Sequence, residues 1–379
     1  MSITKMTMKL GSLIGVAMLW GPSVALAAYN ELNMTESVTV LGKEIYDLHM
    51  LVLWLCTIVG IGVFGVIIYS LINHRKSKGA VAAHFHESTT VEVIWTLIPF
   101  VILVAIAVPA TKTFLALEDT TNSDLTIKAT GWQWKWEYEY LEDGVHFFSN
   151  LDKASNDARQ KNSGINPADV EHYLLNVDNA MVVPVNKKVR VLTTSNDVIH
   201  AWWVPDLAVK RDAIPGFINE SWFKAEKEGT YRGQCAELCG KDHGFMPIVV
   251  TVVSQEKYTA WVGEQKAKAQ AAAAGANKTW SKPDLMKRGE EVYNASCAAC
   301  HQANGQGIPG VFPAIAGGKI TIGPVAGHID IVKNGKAGTA MQAFGTQLNA
   351  GDLAAVVTFQ RNAFGNNTGD VVQPTQVSK

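Results

Sequence analysis

The chain has 379 residues, 47% of them apolar, and its 33 basic and 34 acidic side chains leave a formal net charge of -1. That length allows two or three domains, and so even a charge balance argues against nucleic acid as a partner. The cysteines are Cys56, Cys235, Cys239, Cys297 and Cys300. Four of them fall in motifs that use the thiol chemically, so no disulfide framework is implied.

Residues 1–27 read as an export signal: Lys5 and Lys9, an apolar stretch over residues 10–20, then Ala25-Leu-Ala27 as a small-residue cleavage site. The mature chain is expected to begin near Ala28. Residues 28–112 then form a transmembrane hairpin. Its first span, residues 48–72, carries no charged side chain and is long enough as a helix to cross a hydrocarbon core of roughly 30 Å. Cys56 within it reads as a small buried hydrophobe. The second span, residues 93–110, contains Pro99, which neighbouring helices in a membrane can accommodate. Arg75, Lys76 and Lys78 in the short connection place that loop on the cytoplasmic side, so both ends of the chain face outward. In a bacterium that is the periplasmic side of the inner (plasma) membrane. Glu92 sits at the cytoplasmic edge of the second span, where a carboxylate favours a helix N-terminus.

Residues 113–262 change character. Short runs rich in β-branched and aromatic residues, at residues 125–129, 173–177, 189–194, 230–233 and 247–253, suggest an antiparallel sandwich or barrel. Trp132, Trp134, Trp136, Tyr138 and Tyr140 alternate with period two and read as one aromatic strand face. Residues 150–168 are polar and read as a surface insertion in a hairpin.

The chemistry concentrates in Cys235-Ala-Glu-Leu-Cys239-Gly-Lys-Asp-His243-Gly-Phe-Met246, with His200 upstream. Soft sulfur donors with imidazole select copper or zinc, and two Cys with two His can close a tetrahedral zinc site. Met246 favours copper, because a thioether is the weak, long ligand of copper electron-transfer sites. This spacing, preceded by Ser195-x-Asp-Val-x-His200, resembles the binuclear CuA centre of cytochrome c oxidase subunit II. The resemblance implies a cupredoxin-like Greek-key barrel in which His200, Cys235, Cys239, His243 and Met246 are side-chain ligands and Glu237 binds through its backbone carbonyl. It further implies that the Glu237 carboxylate reaches a magnesium ion at the border with subunit I, that Trp134 is where electrons enter, and that Glu92 lies at the mouth of a proton path. Trp202, Trp203 and Asp212 also match family positions near the site, and packing accounts for them equally well.

Residues 263–282 are alanine-rich and read as a linker. Residues 283–379 contain Cys297-Ala-Ala-Cys300-His301, the attachment motif of a c-type haem, with His301 as the proximal ligand. Met341 is the only methionine after His301, and a Met opposite His raises the haem potential. Helical spacing at residues 284–294 and 350–363 completes the likeness to an all-α class I cytochrome c. His328 reads as a surface or helix histidine. The resemblance as a whole implies a multidomain subunit of a respiratory, proton-translocating cytochrome-c oxidase. It would pass electrons from its own haem c to CuA and on to subunit I, where O2 is reduced. Its partners would be subunit I, a third subunit, membrane lipid, and external cytochrome c or a quinol-cytochrome c reductase as donor. The alternative is a membrane-anchored copper or zinc binding cytochrome acting as a non-enzymatic carrier.

Overall fold

A computed structural model describes residues 33–82, 84, 86–160, 163–275 and 278–378; the export signal read at residues 1–27 lies outside them. The chain divides into two compact units, one ending at Ala116 and the other beginning at Leu117.

The first unit is built on two long helices, α1 (Val40–Asn73) and α2 (Thr89–Glu118, which runs on into the second unit). At 34 and 30 residues they are about 51 and 45 Å long, from a rise of about 1.5 Å per residue. Each therefore extends beyond the apolar stretch that marks it in the sequence. Thr39 caps α1, its hydroxyl accepting from the Gly42 amide at 3.0 Å. Large apolar side chains such as Trp54, Phe64, Trp95 and Phe100 stand exposed along the spans, as suits helices whose solvent is lipid. Cys56 is exposed among them and is not the buried hydrophobe expected, because an apolar run in a membrane helix faces lipid as readily as protein. Glu92 is in the first turn of α2, and the Ser88 amide donates to its carboxylate at 3.4 Å.

Among the described residues the second unit opens with ten strands in two five-stranded sheets. In chain order they are β1 (Leu125–Trp132), β2 (Lys135–Tyr140), β3 (Val145–Ser149), β4 (Met181–Pro184), β5 (Val189–Ser195), β6 (His200–Val204), β7 (Val209–Ala213), β8 (Asn219–Phe223), β9 (Gly229–Cys235) and β10 (Ile248–Val253). One sheet runs β3-β2-β1-β5-β8 and the other β4-β10-β9-β6-β7. The sheets are mixed, not purely antiparallel as expected, since β1 pairs with β5 and β4 with β10 in parallel. The alternation on β5 buries Val189, Val191, Thr193 and Ser195. Trp136, Tyr138, Tyr140, Trp202 and Phe223 fill the core with them.

Three local expectations are corrected. Residues 173–177 form turns, with only an isolated bridge from Leu151 to Val177; their apolar side chains line a crossover where no ladder partner is in reach. The five alternating aromatics do not share one strand. Trp132 closes β1 opposite Lys135 of β2, Gln133 and Trp134 form the turn between them, and only Trp136, Tyr138 and Tyr140 line the buried face of β2. A period-two pattern passes unbroken through a two-residue turn, so alternation alone does not reveal it. Residues 150–168 lie on the crossover from β3 to β4, which belong to different sheets, and not in a hairpin. They include helix α3 (Lys153–Ala158), capped by Asp152 and burying Ser155 and Ala158.

After β10 comes helix α4 (Gln255–Gly275). Its first turns bury Tyr258 and Val262, and Trp261 packs on Tyr140 with ring centroids 5.1 Å apart, so the connection starts as part of the sandwich. The cytochrome-like region follows as α5 (Lys282–Ser296), α6 (Ala298–His301), α7 (Lys319–Ile322), α8 (Val325–Asn334) and α9 (Ala350–Asn362). Helices α5 and α9 cross closely at Gly289, where an added Cβ would stand 2.2 Å from the Ala355 carbonyl oxygen. The buried Arg361 guanidinium ties the loops at the end of α9, donating to Thr321 O, Gly323 O and the Asp370 carboxylate.

Tyr140 joins the two sheets. Its hydroxyl donates to the Val182 carbonyl at 2.8 Å and accepts from the Val182 amide at 2.9 Å, satisfying the free side of β4, an edge strand. Tyr140→Phe leaves both backbone groups buried without a partner, at a cost of about 2 kcal/mol. Thermal unfolding should show a Tm lower by roughly 4–8 °C for a domain of this size.

Candidate metal centres

The loop between β9 and β10 is short and carries three sulfur and imidazole donors, Cys239, His243 and Met246, so closing it brings them to Cys235 at the end of β9. Cys235 ends β9, His200 begins β6, and β6 pairs with β9 through Trp202 opposite Cys235. That ladder sets His200 beside the loop from thirty-five residues away. The Sγ atoms of Cys235 and Cys239 are 3.9 Å apart. His200 Nδ1 lies 3.8 Å from Cys235 Sγ, and His243 Nδ1 lies 3.5 Å from Cys239 Sγ. Met246 Sδ is 3.6 Å from Cys239 Sγ and the Glu237 carbonyl oxygen 3.4 Å from Cys235 Sγ. All six expected donors thus converge. His200, Cys235, Cys239 and Met246 are buried, while the Glu237 carboxylate stands exposed, free of the loop.

The hydrogen bond between the two thiols pulls Cys235 far below the ordinary thiol range and pushes Cys239 above it, so the pair readily yields one thiolate and holds the second proton. Burial disfavours a charged His200, but the Asp197 carboxylate and Cys235 outweigh it and raise its pKa.

Asp197 is the supporting residue that motif reading did not single out. One carboxylate oxygen lies 2.9 Å from His200 Nε2, and the other accepts from the Gln133 amide at 2.7 Å. Holding the proton on Nε2 leaves Nδ1 as the nitrogen able to bind a metal. Its signal was present in the sequence, since Asp197 is the acid of Ser195-x-Asp-Val-x-His200. On the opposite side the Trp134 and Gln133 side chains donate to the Cys239 carbonyl at 3.0 and 2.9 Å. Trp136 donates to the Met246 carbonyl at 3.3 Å. Arg159, just beyond α3, pairs with Asp242 at 3.1 Å and stacks over Phe245 at 4.4 Å, so the crossover is more than a surface insertion: it braces the loop that carries these donors. Trp202 is buried between the sheets and Trp203 is partly exposed, while Asp212 contributes its carbonyl to Thr193.

The second centre is a cavity of about 650 Å³ lined by Cys297, Cys300, His301 and Met341, within the range of about 300–1,000 Å³ usual for cofactor sites. His301 Nδ1 lies 2.8 Å from the Pro313 carbonyl, which fixes the tautomer and leaves Nε2 as the nitrogen able to bind a metal. Burial pushes the Cys297 thiol up to about 12 and Cys300 to about 11, and lowers His301. His328 lies on helix α8, one of the two places expected for it, but is buried and not at the surface; it lines the cavity, Nε2 is 2.8 Å from Gln360 Oε1, and Nδ1 has no partner among the described residues. A cysteine pair, an imidazole and a thioether around a largely apolar cavity with one orphaned polar atom fit a covalently held haem.

Gln133, Trp134 and Lys135 line the same cavity from the sandwich side. Lys135 is buried between Phe148 and Phe344, its ammonium donating to Gln347, and burial lowers it to about 8. Lys241, two residues from Cys239, donates to the Ala299 carbonyl at 2.7 Å. The two centres are therefore neighbours across a packed seam.

A sandwich with a Cys2His2Met loop beside a c-type cytochrome pocket, on a chain with two membrane-spanning helices, defines a membrane-anchored electron-transfer protein. Comparison with known proteins carries this further. Residues 125–253 match the family profile described as cytochrome c oxidase subunit II, periplasmic domain, and residues 27–113 match its transmembrane domain. Residues 284–359 match the profile of cytochrome c oxidase, cbb3-type, subunit III. The cytochrome c oxidase subunit 2 of Cereibacter sphaeroides is 37% identical over 238 residues, 61% of this chain and 78% of that protein. The probable cytochrome c oxidase subunit 2 of Rickettsia bellii is 39% identical over 236 residues, 62% of this chain and 83% of that one. Among solved structures, the periplasmic domain of subunit II of cytochrome oxidase (CoxB) of Bradyrhizobium japonicum is 48% identical, covering 39% of this chain and 98% of that one, with a TM-score of 0.35. The chain belongs to the cytochrome c oxidase subunit II family and carries a C-terminal cytochrome c domain. It is thus a subunit of a haem-copper oxidoreductase complex; the family implies CuA copper, and the added domain implies haem c.

Removing the Asp197 carboxylate should loosen the copper ligand it orients. Asp197→Asn is expected to weaken copper binding about 10- to 100-fold, the usual cost of losing such a support, as measured by competition with a chromophoric chelator. An unchanged affinity would show that packing alone orients His200.

Proposed function

We propose that this chain takes up electrons at its own haem c, passes them to a binuclear CuA site, and delivers them to subunit I of a respiratory terminal oxidase that reduces O2 to water and translocates protons. The observation that carries the reading is the convergence of Cys235, Cys239, His200, His243, Met246 and the Glu237 carbonyl next to the wall of the Cys297-Cys300-His301-Met341 cavity. Bound there, the haem and the copper pair would supply one-electron redox chemistry.

In this reading Cys235, Cys239, His200 and His243 would hold the copper pair, with Met246 and the Glu237 carbonyl as the weaker donors. Asp197, Gln133, Trp136 and Arg159 keep those atoms from moving, which lowers the reorganisation accompanying each transfer. Trp134, bonded to the Cys239 carbonyl and lining the haem cavity, is where electrons enter. The exposed Glu237 carboxylate reaches a magnesium ion at the subunit I border. Glu92, at the cytoplasmic end of α2, stands at the mouth of a proton path. Helices α1 and α2 cross a bacterial inner membrane with Arg75, Lys76 and Lys78 inside and both redox domains in the periplasm. A third subunit joins subunit I, and an external cytochrome c or a quinol-cytochrome c reductase reduces the haem.

Spin-resonance and metal analysis of the purified assembly test the core of this proposal. Mixed-valence copper shows many hyperfine lines; a site filled with zinc gives none and would leave a non-enzymatic carrier. Residues 113–262 carry 15 basic and 21 acidic side chains, net -6, and residues 279–379 carry 8 and 6, net +2. With so weakly basic a second domain on a short tether, reduction of copper by the attached haem should be nearly independent of ionic strength, and a steep salt dependence would show that docking limits it. Trp134→Phe should slow haem-to-copper transfer with both absorption spectra unchanged; an intact rate would place the entrance of electrons elsewhere. Glu92→Gln should lower turnover and proton uptake in the assembled complex, and unchanged values would remove Glu92 from the path.

A further inference from the structure

Met341 lines the haem cavity, and the residue after it reaches across the seam. The Gln342 side-chain amide donates to the Gln133 backbone carbonyl at 2.8 Å and stands 3.5 Å from the Asp197 carboxylate. Both partners already support copper ligands: Gln133 Nε2 donates to the Cys239 carbonyl at 2.9 Å, and the other Asp197 oxygen meets His200 Nε2 at 2.9 Å. Gln342 is held from its own side as well, its Oε1 accepting from Gln347 at 3.3 Å, while Gln347 Oε1 accepts from the buried Lys135 ammonium.

We infer that Gln342 is a positioning residue that locks the cytochrome domain onto the copper loop and adds a bonded bridge between the two centres beside Trp134 and the Lys241–Ala299 bond. The inference rests on the electron-transfer reading above. From Met341 the route runs along one peptide to Gln342, through one hydrogen bond to Gln133, and through a second to the carbonyl of Cys239. A parallel arm passes from Gln342 by Asp197 to His200. One electron crosses, ferrous haem iron being oxidised and the copper pair reduced by one, with no bond broken and no proton moved. An amide suits the position because Nε2 faces two acceptors while Oε1 faces a donor. A carboxylate there would confront the Gln133 carbonyl and the Asp197 carboxylate.

The test compares wild type, Gln342→Leu and Gln342→Glu in the purified full-length assembly, with two readouts. The first is acetylation of Lys135 by an amine-reactive ester, read by mass spectrometry against the exposed Lys153; it reports seam opening without reference to redox state. The second is the rate of haem-to-copper transfer after photoreduction of the haem, with direct photoreduction of copper as the control. Gln342→Leu is expected to raise Lys135 labelling by about fivefold, the size of one uncharged hydrogen bond, and to slow transfer. Gln342→Glu should exceed it in both, and copper reduced directly should behave as wild type. Wild-type labelling and transfer in both variants would overturn the inference. So would a slower rate accompanied by a shifted haem potential or spectrum, because Met341 ligation would then be what changed. A wild type without transfer between the two centres would instead overturn the functional reading beneath it.

Discussion

Everything at the functional end of this protein depends on one short loop being held still. Between Cys235 and Met246 the chain must present two sulfurs, an imidazole, a thioether and a carbonyl to one small volume, and a loop so rich in polar backbone does not hold that arrangement unaided. Its carbonyls are therefore engaged from outside: Cys239 by Trp134 and Gln133, and Met246 by Trp136. The β6-β9 ladder supplies His200, and Asp197 sets its tautomer. These bonds hold the donor atoms of the loop in a fixed arrangement.

The same supports face two ways. Gln133 and Trp134 form the turn between β1 and β2, and that turn also lines the cavity holding Cys297, Cys300, His301 and Met341. Rigidity of the copper loop and proximity to the haem pocket thus come from the same residues. Lys135 takes part from below. A buried ammonium is costly unless it is bonded, and it gains its partner, Gln347, only from the cytochrome region.

The braces come from segments with no chemical motif of their own. Arg159 reaches Asp242 from the crossover between sheets, and Tyr140 joins β2 to β4. Gly289 lets α5 and α9 approach to backbone contact. Each satisfies a group that would otherwise be buried without a partner or a gap that would otherwise be empty, which is how a fold carries precision to a distant loop.

The donors themselves were legible in the linear chain, because ligand chemistry depends on residue type and close spacing. Cys235, Cys239, His243 and Met246 lie within twelve residues, and Cys297, Cys300 and His301 within five. The two membrane helices were legible for a similar reason, since apolar length is a local property. What stayed hidden was pairing between distant segments. The turn at Gln133 and Trp134, the parallel neighbours β1 and β5, the burial of His328 on its expected helix and the bracing role of residues 150–168 all depend on which segments meet in space. An unbroken aromatic alternation or a polar run reads the same in several arrangements. The sequence by itself determined which atoms are able to bind copper and haem. Only the tertiary structure decided that Gln133, Trp134 and Gln342 stand between the two centres, because hydrogen bonds spanning more than a hundred residues exist only once the chain has closed on itself.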